Sequence, residues 1–213
     1  MAAEPLFRQI FDPDSSVLTY LIGDASSGTA LVIDPLPVQN MLILALLAEM
    51  GLSLRSVVRT HVHRPNRIDS GGLCELTGAD YLVGQGNPGD IPGRRLADGE
   101  EIALGGERLL VLATPGHTPG CISLRWRDKL FCGDVMEIGG CGQAEDETNP
   151  AQMYDSVTMR IFTLPAETLL YPCHDYVGRR VSSVGEEKLR NSWFALGSRD
   201  LFVARMHAAK TAE

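Results

Sequence analysis

Four short motifs follow one another along this chain in a fixed order. They are Thr60-His61-Val62-His63, Thr114-Pro115-Gly116-His117-Thr118-Pro119-Gly120, Phe131-Cys132-Gly133-Asp134 and Tyr171-Pro172-Cys173-His174-Asp175. They hold four of the five histidines in 213 residues. Each lies at the end of a strand-like run or in the turn after one. A chain that places its imidazoles at successive strand ends has to fold so that those ends converge, with the chemistry on loops held by a rigid scaffold. His61 and His63 are two residues apart, and side chains of an extended segment repeat every two residues, so both rings face the same way. Imidazoles with a carboxylate suit zinc, iron or manganese. Each motif alone reads as structural: a core histidine, a turn aspartate. The four together point to a metal centre.

The pattern between the motifs supports a layered fold. Strand-like runs cover residues 6–11, 16–23 and 29–34, separated by turn signals, and read as antiparallel neighbours. Residues 38–50 read as a buried helix stopped by Gly51, and residues 54–60 as a strand that delivers His61. Further strands are expected at 80–84, 100–104, 107–113, 121–126, 129–132 and 168–172, with 84–93 a loop. A helix is expected over 150–162, with Asn149 as its N-cap and Pro150 in its first turn. The segment after Ser183 turns helical. Strands then helix, twice over, predict an α+β architecture with sheets inside and helices outside. The length predicts a single domain over 1–213, with a short helical C-terminal segment from about 184.

Composition removes several function classes. The net charge of −8 makes nucleic acid and anionic membrane poor partners. The longest apolar run, residues 41–47, is far short of the ~20 residues of a spanning helix. The first residues lack the basic start and apolar core of a secretory leader. Five cysteines, an odd number without a C-x-x-C pair, fit a reducing, cytoplasmic setting.

The motifs resemble those of the metallo-β-lactamase superfamily over about residues 6–191. Within it the chain is similar to the persulfide dioxygenases, neighbours of glyoxalase II. That branch is carried by Phe131-Cys132-Gly133-Asp134, Gly139-Gly140-Cys141-Gly142, Ile161-Phe162-Thr163-Leu164-Pro165 and Tyr171-Pro172-Cys173-His174-Asp175-Tyr176. The resemblance implies a four-layer αββα sandwich with the metal at one edge of two sheets. It implies one Fe(II) per chain, held by His61, His117 and Asp134 as a 2-His-1-carboxylate triad, with His63 auxiliary. The implied reaction oxidises a persulfide with O₂ to sulfite.

The departures from the family pattern carry as much information. The superfamily's T-H-x-H-x-D-H is Thr60-His61-Val62-His63-Arg64-Pro65-Asn66 here. Proline offers no donor and an asparagine amide is a weak one, so a dinuclear zinc site of the hydrolase kind is not expected. His174 is then expected to act on substrate or on metal-bound water, and Tyr176 matches a substrate-pocket tyrosine of the family. A family arginine is replaced by Gln143, and the later N-P-R is Asn191-Ser192-Trp193, which argues against the two carboxylates of glutathione persulfide. Arg64, Asn66, Arg67, Cys141 and Gln143 complete the expected substrate contacts, with Arg179 and Arg180 as further candidates for an anion. Cys173 is expected in the core. Two rival readings remain: a zinc-dependent thioester hydrolase of glyoxalase II type, and a non-catalytic family member. A homodimer is compatible with the apolar residues of the C-terminal helix.

Overall fold

The computed structural model describes residues 5–63, 71–142, 146–195 and 197–210. Two six-stranded sheets form its centre. In the first, β1 (Leu6–Phe11), β2 (Leu18–Asp24) and β3 (Thr29–Ile33) run antiparallel, as their spacing predicts. β4 (Ser53–Arg59), β5 (Asp80–Gly84) and β6 (Arg94–Leu96) then add in parallel, giving the order β1-β2-β3-β4-β5-β6. In the second, β7 (Glu101–Leu104), β8 (Glu107–Ala113), β9 (Ile122–Trp126) and β10 (Lys129–Gly133) are antiparallel. β11 (Leu169–Pro172) lies parallel to β10, and β12 (Ser182–Ser183) closes the edge.

Parallel neighbours need crossovers, and helices supply them. α1 (Asn40–Glu49) joins β3 to β4, and α2 (Gly71–Thr77) joins β4 to β5. Their Ile43, Leu47 and Leu73 bury against the outer face of the first sheet. α3 (Pro150–Ser156) leads from β10 to β11, and α4 (Val184–Arg190) and α5 (Arg199–Lys210) follow. Met153, Phe202 and Met206 from α3 and α5 cover Leu130 and Leu170 on the second sheet. Leu18, Tyr20, Val58, Trp126, Phe131 and Tyr171 fill the space between the sheets. The layers are αββα, as the resemblance implies.

Three local readings change. Residues 38–50 are not one buried helix: a 3₁₀ turn over Pro37–Gln39 precedes α1, and only one face of α1 is covered, leaving Met41 74% exposed. Gly51 closes α1 at φ 64°, where Leu52 N–H donates to the Leu47 carbonyl at 2.9 Å. Asn149 caps α3 by accepting from Gln152 N–H at 3.1 Å, but after Ser156 the chain widens into a π-type turn over Val157–Ile161. β6 follows the loop after β5 without an apolar alternation to announce it, since two of its three residues are arginines.

The two sheets are stitched at one edge. Ile122 N–H donates to the Thr60 carbonyl at 2.8 Å, Leu18 N–H to the Cys173 carbonyl at 2.7 Å, and the Tyr20 hydroxyl to the Pro172 carbonyl. These bonds tie the end of β4 to the start of β9 and the start of β2 to the end of β11. The aromatic contact below them, with Tyr20 and Phe131 ring centroids 4.8 Å apart, is fully buried. Phe131→Ala should cost about 3–5 kcal/mol in urea unfolding. A loss under about 1 kcal/mol would show that this inter-sheet contact is not a main support of the edge.

Candidate metal centre

Asp34 ends the turn after β3 and is buried, with φ 50°. Its carboxylate accepts the Thr60 backbone N–H at 2.8 Å and the Thr60 hydroxyl at 2.6 Å. The Thr60 hydroxyl, its hydrogen given to Asp34, accepts from His61 Nδ1 at 3.0 Å. That relay puts the proton of His61 on Nδ1 and leaves the Nε2 lone pair facing the site. Burial pushes the Asp34 carboxyl up, and Arg59 and the Thr60 bonds only partly oppose it.

Gly133 places the next donor. It sits at φ 59°, beside a register shift in β10, and a Cβ there would come within 2.6 Å of the Thr60 hydroxyl. The bare backbone therefore lets Asp134 rise directly above Thr60. His117 is delivered by the Pro- and Gly-rich turn between β8 and β9, whose Gly116 carbonyl accepts Asn149 N–H at 2.7 Å.

The donor atoms of His61, His63, His117 and Asp134 all lie within 4.8 Å of one another. His61 Nε2 is 3.3 Å from Asp134 Oδ2, His117 Nε2 is 3.8 Å from that same oxygen, and the Nε2 atoms of His117 and His63 are 3.1 Å apart. Burial, then His117, His63 and Arg59, against the opposing pull of Asp134, bring His61 down to about 3, so it is neutral near pH 7. A neutral ring lone pair aimed at a carboxylate oxygen, beside two imidazole nitrogens in contact, is a repulsive arrangement without a cation between them. The donor set fits a metal ion of the borderline class. Burial pushes the Asp134 carboxyl up, but His61 and the hydrogen bond from His174 outweigh it and hold it well below the usual range.

His174 makes that bond with Nδ1, 2.8 Å from Asp134 Oδ1. Burial lowers its pKa, but the bond and the charge of Asp134 raise it further, for a net upward shift. Tyr176 is exposed, and its ring stacks on His174 at 5.2 Å and 7°. Both line a cavity of about 220 Å³ whose floor is the His/Asp cluster. Cys141 lies elsewhere: it is buried, with Sγ 3.6 Å from Met206 Sδ, and burial pushes its thiol far up. Cys173 is buried, as expected of a core residue, yet it reaches the cavity wall. Arg179 and Arg180 are engaged by Glu186 at 3.0 Å and Asp175 at 3.1 Å. Arg64, Asn66, Arg67 and Gln143 lie outside the described residues. Arg59 and Glu137, which line the cavity, escaped the sequence reading, as did Asp34, which bonds Thr60 behind it. The aspartate closing residues 29–34, just before Pro35, was the one available signal.

The comparisons agree with this geometry. The family model described as Metallo-beta-lactamase superfamily matches residues 69–174. The persulfide dioxygenase ETHE1 of Bos taurus, named mitochondrial, is 39% identical over 192 residues, covering 89% of this chain and 76% of that protein. The crystal structure of ETHE1 from Myxococcus xanthus superposes with a TM-score of 0.90 at 42% identity, covering 95% of this chain and 90% of the other. A hydroxyacylglutathione hydrolase of Rhodospirillum rubrum is 30% identical over 194 residues, covering 89% of this chain and 73% of that protein. The fold and the candidate His/Asp metal site define an enzyme of the αββα class. The chain belongs to the metallo-beta-lactamase superfamily, in its ETHE1-like persulfide dioxygenase branch.

Two outcomes follow from the geometry. Gly133→Ala should displace Thr60 and with it His61; metal affinity, measured by chelator competition, should fall at least tenfold, about 1.4 kcal/mol, and metal bound per chain should fall with it. Full occupancy in that variant would show that the close approach is dispensable.

The second concerns the metal-free protein. The pKa of His174 is raised on folding, so its pairing stabilises fully below the unfolded value of about 6.5 and is lost as pH rises through the folded value. Asp134 is depressed, so its contribution is present above about 3.9 and is lost as pH falls through the folded value. The stability gap between the wild type and His174→Asn should therefore be widest near pH 5 and narrow toward pH 9. A gap that widens with pH would contradict the pairing.

Proposed function

We propose that this chain is a mononuclear non-haem iron oxygenase that oxidises a persulfide with O₂ to sulfite. The observation that carries it is the convergence of His61, His117 and Asp134, with His63 beside them, in a chain of the persulfide dioxygenase branch. The overall change balances as RSSH + O₂ + H₂O → RSH + H₂SO₃: the terminal sulfur is oxidised, O₂ is reduced, and the S–S bond breaks. Iron(II) held by the triad would supply electrons to O₂ and a seat for the sulfur next to it, since three protein ligands leave coordination positions open.

The chain's own residues do the rest. Asp34 and Thr60 fix the tautomer of His61, and His174 fixes one oxygen of Asp134, leaving Oδ2 toward the imidazoles. Tyr176, stacked on His174, forms the exposed side of the entrance and is placed to cover a bound substrate. His63 lies against His117 and acts as an auxiliary donor. Residues 1–213 act as one unit in this reading, including the C-terminal helices. The five free cysteines support a reducing compartment such as the cytoplasm; the described helices include none long and apolar enough to cross a membrane.

One observation favours a second reading, a zinc-dependent thioester hydrolase: the similarity to the Rhodospirillum hydrolase, together with three imidazoles that suit zinc. Metal analysis on protein purified without added metal separates the two. About one iron per chain, with oxygen uptake and sulfite release on a persulfide, is the expected result. One zinc per chain with thioester cleavage and no oxygen uptake would overturn it, and two metals per chain would show a rebuilt second site.

A further inference from the structure

The cavity above the metal cluster holds two ionic side chains that the triad does not use. Arg59, at the end of β4, is buried and lines it; Glu137, in the turn after Asp134, is half-buried and lines it too. Their electrostatic neighbours differ. Arg59 acts on Asp34, His61 and Cys173, whereas Glu137 feels Asp134 and His174. Both line one small chamber.

The Glu137 carboxylate makes no hydrogen bond or ion pair among the described residues, although its backbone is tied to Gly140 in both directions. It lies over Gly140, where a Cβ would come within 3.4 Å of Oε2. It is in none of the clusters compact enough to share an ion with Asp134. Burial, then the charge of Asp134, drives it up to about 8 against the pull of His174. The side chain is thus mostly protonated near pH 7, and a cationic group bound beside it would favour loss of that proton and pair with the carboxylate.

Size and reach narrow the occupant. The chamber of about 220 Å³ is below the ~300 Å³ at which sites for larger ligands begin. In an α-amino-acid persulfide the ammonium and the carboxylate both stand four bonds from the terminal sulfur, within about 5–6 Å at ordinary bond lengths. Charges that recognise it must lie in the chamber that holds the sulfur. A tripeptide persulfide has peptide bonds on its cysteine carbon and carries its charged groups several bonds farther out, beyond such a chamber.

We propose that the cavity takes a small zwitterionic persulfide of the cysteine persulfide class, with Arg59 receiving its carboxylate and Glu137 its ammonium. The inference rests on the persulfide reading above.

The test compares kcat/KM of the iron-loaded enzyme for cysteine persulfide, 2-aminoethyl persulfide, 3-propionate persulfide and glutathione persulfide. Calorimetry of anaerobic L-cysteine and 3-mercaptopropionate binding runs in parallel. Cysteine persulfide should lead each of the others by about tenfold or more. Glu137→Gln, which keeps the shape, should weaken L-cysteine about tenfold and leave 3-mercaptopropionate unchanged. Arg59→Met should weaken both thiols; if that variant fails to fold, Glu137→Gln alone decides. Glutathione persulfide equal to or ahead of cysteine persulfide would overturn the inference while leaving the oxygenase reading intact. Oxidation of none of the four would instead remove the persulfide reading. In that event the calorimetry settles the charge pair: a tenfold loss confined to L-cysteine in Glu137→Gln upholds it, and equal binding to wild type and variant ends it.

Discussion

The site depends on one buried carboxylate outside the four-donor group of His61, His63, His117 and Asp134. Asp34 holds Thr60 by two hydrogen bonds, at 2.8 and 2.6 Å, across the end of the first sheet. Thr60 then does three things at once. Its hydroxyl orients His61, its carbonyl accepts Ile122 N–H from the second sheet, and its side chain fills the space that Gly133 leaves empty. The ends of β4, β9 and β10 are thus fixed to one residue. A donor cluster whose atoms fall within 4.8 Å needs that rigidity, because the imidazoles and the carboxylate repel or compete until a cation joins them.

The layers serve the same end. Parallel pairing of β3 with β4 and of β10 with β11 sends both connections across the outer faces as helices. The inner faces are left free to pack, and Tyr20, Phe131 and Tyr171 fill them. Strand ends then emerge at a common edge without helices in the way. Both sheets contribute: His61 and His63 follow β4, while His117, Asp134 and His174 come from the second. The cavity is a seam between two scaffolds, held shut by backbone bonds such as Leu18 N–H to the Cys173 carbonyl.

Much of this was legible in the chain. The strands of the first sheet up to β5 and of the second up to β11 follow from short apolar runs bounded by turn residues, and the donors follow from their positions at strand ends. What was not legible has physical causes. Arg59 sits in a run of β-branched residues and looks like a solvated edge charge; only the fold shows it buried. Glu137 looks like an ordinary loop acid until the hairpin with Gly140 turns it into the cavity. Cys141 stands in a glycine-rich loop that suggests exposure, yet α5 covers it through Met206. The single reading of residues 150–162 failed at the π-type turn, where a helix-forming sequence yields to packing on the second sheet. Local patterns carry periodicity, not what a neighbouring layer will cover.

By sequence, Pro65 and Asn66 stand where the superfamily pattern resembled here carries an aspartate and a histidine; proline offers no donor and an amide only a weak one. His174 points Nδ1 at Asp134 Oδ1, and its ring carries Tyr176. The bond fixes one carboxylate oxygen, so the other is committed toward the imidazoles. A residue able to serve as a ligand thereby becomes one that sets the geometry of a ligand. A positive charge also stands on the cavity wall, in Arg59. Unlike a metal ion, a guanidinium cannot activate water, but it can bind a carboxylate in a defined orientation. On the persulfide reading proposed above, that guanidinium serves recognition on the cavity wall rather than the chemistry.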